Sequence, residues 1–280
     1  MVTTQPQLIR LSQGQLNLLE RCPRQFQYTY LEHLYSPLDP EHEERQSLGS
    51  RFHLLMQQRE MGLPIDSILQ EDAQLQRWFT DFAKAAPEIL APDPHRQSFR
   101  ESEHYRTLQV QDYLLAVVYD LLIADNQHAQ IFDWKTYPKL PNKRKLEQNW
   151  QTRLYMYVLA ETSSYLPENI SMTYWFVQSE GKPQTIKFSY STVQHQQTAR
   201  RLNQLLNRLT YWLERYYHRE EAFPQEPEGS KACEYCQYAK RCDRPQFNYD
   251  KQSQVVSPTI AMTTHLLNLE NVEEVTLENL

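Results

Sequence analysis

Only five glycines occur in the 280 residues, and none stands in a G-x-x-x-x-G-K-[ST] loop. The chain therefore carries no phosphate cradle of that kind, and if it works with a helicase the motor is another polypeptide. Positive charge is also scarce: 29 Lys and Arg against 35 Asp and Glu leave a formal charge of −6. That disfavours a broad electrostatic grip on nucleic acid. The basic stretches Lys139–Lys145 and Arg200–Arg219 still allow a local channel. No run of about 18 apolar residues is present, so neither a membrane-spanning helix nor a membrane partner is expected. The N-terminus lacks a basic segment followed by an apolar run, which predicts no secretory leader and a cytoplasmic protein. Hydrophobic residues make up 40%, enough to bury the core of one large domain.

Cysteine is scarce as well, and its placement is informative. Of four cysteines, Cys233, Cys236 and Cys242 form a C-x2-C-x5-C cluster near one end, while Cys22 stands near the other, in Cys22-Pro23-Arg24-Gln25-Phe26. In a cytosolic chain structural disulfides are rare, and four thiolates suit zinc or an iron–sulfur cluster. Cys22 taken alone fits a buried thiol equally well; the other three do not. A site built from three ligands plus one distant partner ties the two ends together around whatever lies between.

Hydrophobic periodicity predicts a helix over 12–21 capped by Ser12, helical continuation over 23–35, and helices over 46–61 and 66–86. The pattern then turns to strands at 98–110, 113–124 and 129–135, an antiparallel meander joined by Gln111-Asp112 and by Asp125–His128. A basic loop, 136–143, precedes a helix over 144–162. Strands at 170–178 and 184–190, joined at Glu180-Gly181, are followed by a long helix over 191–221. This order predicts an α/β fold with a mixed central sheet flanked by helices. It comprises one domain over 1–246: a helical lobe at 12–90, a core at 98–221 and a cysteine loop at 229–245. Residues 247–280 form a polar tail, partly disordered.

The sharpest chemistry sits on the meander. Asp120 interrupts the apolar strand Leu114–Ala124, and an Asp there is costly to bury unless it is paired or bound to a cation. Asp133 and Lys135, two apart in Ile131-Phe132-Asp133-Trp134-Lys135, share a face, with Trp134 on the other. Asp120 on the neighbouring strand can meet Asp133. Two carboxylates and an ammonium on one face suit metal-assisted phosphodiester hydrolysis, with Mg²⁺ or Mn²⁺ on hard oxygen ligands. Alone, D-x-K is more often a buried ion pair; Asp120 shifts the balance. His53, in Gly49-Ser50-Arg51-Phe52-His53, is a residue type that ligates divalent metals beside carboxylates. Taken singly it reads more often as structural. Gln151 and Tyr155 are four apart, share a helical face and can hold a phosphate or orient Lys135. Taken without the other motifs, that pair reads as part of an ordinary amphipathic helix.

Together G-x-x-x-H, the buried Asp, D-x-K and Q-x-x-x-Y, in this order, resemble the RecB-like branch of the PD-(D/E)XK nuclease superfamily. The one-plus-three cysteines resemble its iron–sulfur subset, which includes AddB-type nuclease domains and CRISPR-associated RecB-like exonucleases. The resemblance spans about Leu11 to Pro245. It implies a restriction-endonuclease-like core in which His53, Asp120, Asp133 and the Trp134 carbonyl ligate the metal, Lys135 is the catalytic lysine, and Gln151 and Tyr155 assist and contact DNA. It further implies a structural 4Fe–4S cluster on Cys22, Cys233, Cys236 and Cys242, with zinc as the alternative. Glu103 on the first meander strand is a further acidic candidate. Many relatives have a small residue where Val118 stands, which bears on subfamily more than on activity. The implied function is a metal-dependent DNA nuclease, an exonuclease acting on single-stranded ends, in repair, recombination or CRISPR-related processing, with a helicase or another protein of those pathways as partner. The alternative is a DNA-binding or partner-stabilising subunit with vestigial nuclease activity.

Overall fold

The computed structural model describes residues 8–34, 40–90, 98–178 and 182–244. The chain opens with strand β1 (Ile9–Leu11) and helix α1 (Gln13–Arg21), whose entry is fixed by the Ser12 N–H donating to Gln15 Oε1. Cys22 is extended and starts α2 (Pro23–Phe26), which runs into a π-helical turn over Gln27–Leu31. Helices α3 (Pro40–Glu60), α4 (Asp66–Glu71), α5 (Ala73–Ala85) and α6 (Pro87–Leu90) follow. Next come strands β2 (Phe99–Val110), β3 (Tyr113–Ala124) and β4 (Ala129–Lys135), helices α7 (Lys143–Gln148) and α8 (Trp150–Glu161), strands β5 (Ile170–Phe176) and β6 (Gln184–Ser189), and the long helix α9 (Thr192–Arg219). The cysteine segment 229–244 is built from turns and two short 3₁₀ pieces.

The six strands make one mixed sheet, as expected from the alternation of strands and helices. Pairings β2–β3, β3–β4 and β5–β6 are antiparallel; β1–β3 and β4–β5 are parallel. One edge of β3 is paired with β2 along nearly its whole length. The other edge pairs with β1 only at Tyr113–Leu115 and with β4 only at Leu121–Ala124. Between these stretches, residues 116–120 of β3 border a gap in the sheet.

Both faces are covered. Leu115, Val117 and Tyr119 pack with α1, α8 and α9. Leu121, Phe132, Trp134 and Trp175 pack against Phe52, Leu55 and Met56 of α3 and Leu75, Trp78 and Phe82 of α5. Thus α3 and α5 form the cover of one sheet face.

Three helical expectations are corrected. The helix expected over 66–86 breaks at Asp72, which is extended and accepts from the N–H groups of Gln74 and Leu75. A capping carboxylate competes with helix continuation at such a point. The helix expected over 144–162 breaks at Asn149, whose Oδ1 accepts from Gln151 N and from Asn17 Nδ2. The helix expected from 46 begins at Pro40, a residue favoured in the first turn. Strand β1 was not expected: three residues carry too little periodicity to register. The connection at Glu180-Gly181 and the tail 247–280 lie outside the described residues.

Candidate active site

Five elements converge beside the gap in the sheet. Helix α3 delivers His53. A Cβ added at Gly49 would lie 2.8 Å from Thr136 Oγ1, so glycine lets α3 cross close to the end of β4. His53, four residues on, occupies the same side of the helix. Its Nδ1 stands 3.3 Å from Asp120 Oδ1. The other Asp120 oxygen accepts from the Trp134 N–H at 2.6 Å, replacing the ladder bond that β3 and β4 no longer make at this point. The N–H and C=O of one strand residue point to the same edge, so the Trp134 carbonyl also faces the gap.

Glu103 joins from β2. The ladder pairs Ser102 with Leu121 and His104 with Tyr119, leaving Glu103 and Asp120 facing each other without a bridge. Glu103 has φ of 51°, in the left-handed region that costs a non-glycine residue roughly 1–3 kcal/mol. His53, Glu103 and Asp120 each offer a ligand atom, and the three atoms lie within 4.8 Å of one another. Strand alternation hinted only weakly at Glu103, because its position depends on this local twist of the backbone.

Asp133 and Lys135 are brought together as expected, both buried, with Nζ 2.5 Å from Asp133 Oδ1. Gln151 bridges the pair: its Nε2 donates to Asp133 Oδ2 at 2.6 Å and its Oε1 accepts from Lys135 Nζ at 3.0 Å. Asn149, where the expected helix breaks, caps α8 and thereby places Gln151. Lys135 Nζ also lies 5.4 Å from the centre of the Tyr174 ring. Tyr155 is buried and lines the same cavity of about 720 Å³ as Glu103, Asp120, Asp133, Lys135 and Gln151. Asp133 Oδ1 makes no hydrogen bond of good geometry, although it is buried. It stands against Lys135 Nζ and outside the trio of ligand atoms that lie within 4.8 Å of one another; that trio, two carboxylates and an imidazole, is the donor set that fits a divalent cation.

The charges are strongly coupled through burial. Burial and the charge of Asp120 push Glu103 up to about 7. Burial pushes Asp133 up to about 6 in spite of Lys135. Burial pulls His53 down, but Asp120, through charge and hydrogen bond, outweighs it and leaves His53 at about 9. For Asp120 burial acts upward, yet His53, Lys135 and the Trp134 N–H hold it below the usual range. Lys135 is raised: burial opposes its charge, and Asp133 more than compensates.

A pH dependence follows. In metal-free protein, the raised pKa values of His53 and Glu103 favour their protonated forms in the folded state. Their contribution to stability is complete below about pH 4.5 for Glu103 and about pH 6.5 for His53. It is lost as pH rises through about 7 and about 9 respectively. A cation bound by these groups would displace the same protons, so Mn²⁺ affinity is expected to rise about a thousandfold between pH 6 and 8. Calorimetry in buffers of different ionisation heat measures both affinity and protons released; a pH-independent affinity with no proton release would rule the trio out as ligands.

The four cysteines also meet. Cys22, Cys233, Cys236 and Cys242 line one small pocket beside Tyr28 and Tyr238, and none is in a disulfide. Burial pushes the Cys236 thiol up, with Cys22 and Cys242 adding to it. Cys242 is likewise raised by burial and feels Cys22 and Cys233. Four thiols lining one pocket are a residue set suited to a thiolate-bound metal centre, although their sulfurs do not gather within 4.8 Å of one another as the His53, Glu103 and Asp120 atoms do. The two ends are further joined by the Arg24 N–H to the Pro224 carbonyl at 3.1 Å and by the Phe223 N–H to Gln27 Oε1 at 2.6 Å.

Comparison with known proteins adds a family. A sequence profile described as the PD-(D/E)XK nuclease superfamily matches residues 10–243. Among solved structures, SSO0001 is similar at 13% identity with a TM-score of 0.33, covering 74% of this chain and 78% of that one. A Eubacterium rectale protein to which an exonuclease function has been ascribed is similar at 9% identity and a TM-score of 0.48, covering 90% of each chain. No curated protein matches the chain.

Proposed function

The chain belongs to the PD-(D/E)XK nuclease superfamily, and from that premise we propose that it is a divalent-metal-dependent deoxyribonuclease of the RecB-like branch, an exonuclease acting on single-stranded ends. The observation that carries this reading is the convergence of His53, Glu103 and Asp120 within 4.8 Å beside the Asp133–Lys135–Gln151 cluster. Residues 1–246 act as one nuclease domain, and 247–280 as a tail outside it.

His53, Asp120 and Asp133, with the Trp134 carbonyl and Glu103, would hold Mg²⁺ or Mn²⁺. A bound ion of this kind polarises a phosphate and makes its water a nucleophile at neutral pH. Asp133 keeps the proton on Lys135 Nζ, and Gln151 fixes its direction. The ammonium then neutralises charge that develops on the phosphate oxygens. Tyr155 and Tyr174 wall the site and keep bulk water from these charges, which strengthens them. Cys22 and the cysteine loop would hold a 4Fe–4S cluster that staples the chain ends. A helicase, or another protein of repair, recombination or CRISPR processing, is the partner this reading brings with it.

The test uses anaerobically purified protein with Mn²⁺ and three substrates: linear single-stranded DNA, the same DNA circularised, and blunt duplex. An exonuclease that needs single-stranded ends digests the first alone. Cutting of the circle would replace the exonuclease reading by an endonuclease.

A further inference from the structure

The cavity that holds the carboxylates also holds an arginine that this chemistry does not use. Arg10 lines it together with Glu103, Asp120, Asp133 and Lys135. Lys135 is committed to Asp133 and Gln151. Arg10 has no carboxylate partner among the described residues and is exposed. It is the one arginine among the described residues that line the cavity.

Strand register places it. Alternation puts Leu114, Ala116, Val118 and Asp120 on one face of β3, opposite Leu115, Val117 and Tyr119 in the core. Ala116, Val118 and Asp120 line the cavity and form its floor. Arg10 stands across from Leu114 and Tyr105 across from Val118. Cross-strand partners share a face, so both stand on the sheet face that carries this floor, with Arg10 lining the cavity and Tyr105 beside it. Tyr105 stands one side-chain row from Asp120, about 7 Å along the strand. The Arg10 side chain reaches across β3, with its guanidinium 5.2 Å from the centre of the Tyr105 ring. Tyr105 is 47% exposed, so the ring serves as an open shelf for the arginine. Beyond Arg10 the chain enters α1, whose first turn has no acidic residue and whose Ser12 and Gln13 line the same cavity. The positive end of the helix adds to the field of Arg10.

We propose that Arg10 is a phosphate anchor for the substrate, and that Tyr105 is the positioning residue that holds its guanidinium over the cavity floor. The ligand is the phosphodiester backbone of single-stranded DNA, gripped at a phosphate one or two linkages from the cleaved bond. This rests on the nuclease reading of the site. Three carboxylates at one end of the cavity repel a polyanion unless metal is bound, and Arg10 supplies attraction at the other end. A single strand is flexible enough to follow the floor from Asp120 to Arg10.

The test is a cleavage series with the full chain and Mn²⁺. The substrates are oligothymidylates carrying one neutral methylphosphonate linkage, moved phosphate by phosphate away from the cleaved bond. In the wild type, one such position raises KM about tenfold, the effect of losing a single charge-assisted contact. Arg10→Gln raises KM on unmodified DNA by a similar factor, leaves kcat within about twofold, and is then insensitive to that same methylphosphonate. Its slope of log affinity against log salt falls by about 0.7, one phosphate contact on a single strand. Tyr105→Ala follows Arg10→Gln in KM, and Tyr105→Phe, which keeps the ring, restores it. If Arg10→Gln responds to the methylphosphonate scan as the wild type does, or if no linkage beyond the cleaved one matters, the anchor is overturned while the nuclease stands. If the wild type cuts no DNA in any arm, the nuclease reading itself fails, and the anchor with it.

Discussion

Lys135→Met is expected to lower Mn²⁺-dependent cleavage of end-labelled single-stranded DNA about a thousandfold, the size of effect seen when one preorganised charge-stabilising donor is removed. The methionine keeps the bulk of the side chain and removes the ammonium. In the structure that ammonium stands 2.5 Å from Asp133 Oδ1 and donates to Gln151 Oε1. Without it the buried Asp133 carboxyl loses its counter-charge and rises further above the value of about 6 that burial already imposes. At pH 8 with saturating Mn²⁺ the cation supplies that charge, so metal binding survives while cleavage does not. Mn²⁺ binding followed by electron paramagnetic resonance, run beside the cleavage assay, separates the two. Cleavage by Lys135→Met within threefold of the wild type would place the chemistry elsewhere or point to a contaminating nuclease. Tight DNA binding with no cutting by the wild type would favour the alternative of a DNA-binding subunit with vestigial activity.

The second large effect concerns the ends of the chain. On the proposed iron–sulfur reading, anaerobically purified protein is brown, and Cys22→Ser is expected to bleach it, release most of the iron and lower Tm by about 10 °C. That size follows from opening a loop that spans most of the chain in a protein of this length. The variant remains folded, because the bonds from Arg24 to the Pro224 carbonyl and from Gln27 to Phe223 do not involve the cysteine. Hydrogen exchange should therefore quicken mainly across 223–244 and around 22–31. A colourless wild type containing one zinc per chain would replace the iron–sulfur centre by zinc and keep the staple. Unchanged metal content and Tm in Cys22→Ser would remove Cys22 from the ligand set.

Much of this architecture was legible in the residues. Strands β3 and β4 match the expected 113–124 and 129–135, because Gln111-Asp112 and Asp125–His128 punctuate alternating runs that have no helical period. Gln111 does take the positive φ that a two-residue hairpin asks for. The pairing of Asp133 with Lys135 follows from a spacing of two on a strand, and the nearness of Gln151 from its place on the next helix. The helix breaks at Asp72 and Asn149 were missed for a common reason. Each break is made by a side chain capping the next helix, while the apolar rhythm continues across it, and periodicity reads the rhythm. Strand β1 was missed because Ile9–Leu11 is a strand only through its pairing with Tyr113–Leu115.

The sequence by itself determined the mixed α/β class, the family through its ordered short motifs, and the types of ligand available at each end of the chain. Those depend on local spacing, which the backbone period converts directly into shared faces. Tertiary structure decided what stands across from what. The gap between β1 and β4, the left-handed turn of Glu103 towards Asp120, the close passage of Gly49 over Thr136 and the arrival of Arg10 in the cavity all arise from contacts between residues far apart in the chain. Non-local pairing is fixed by how whole elements share one core, and no local pattern encodes it.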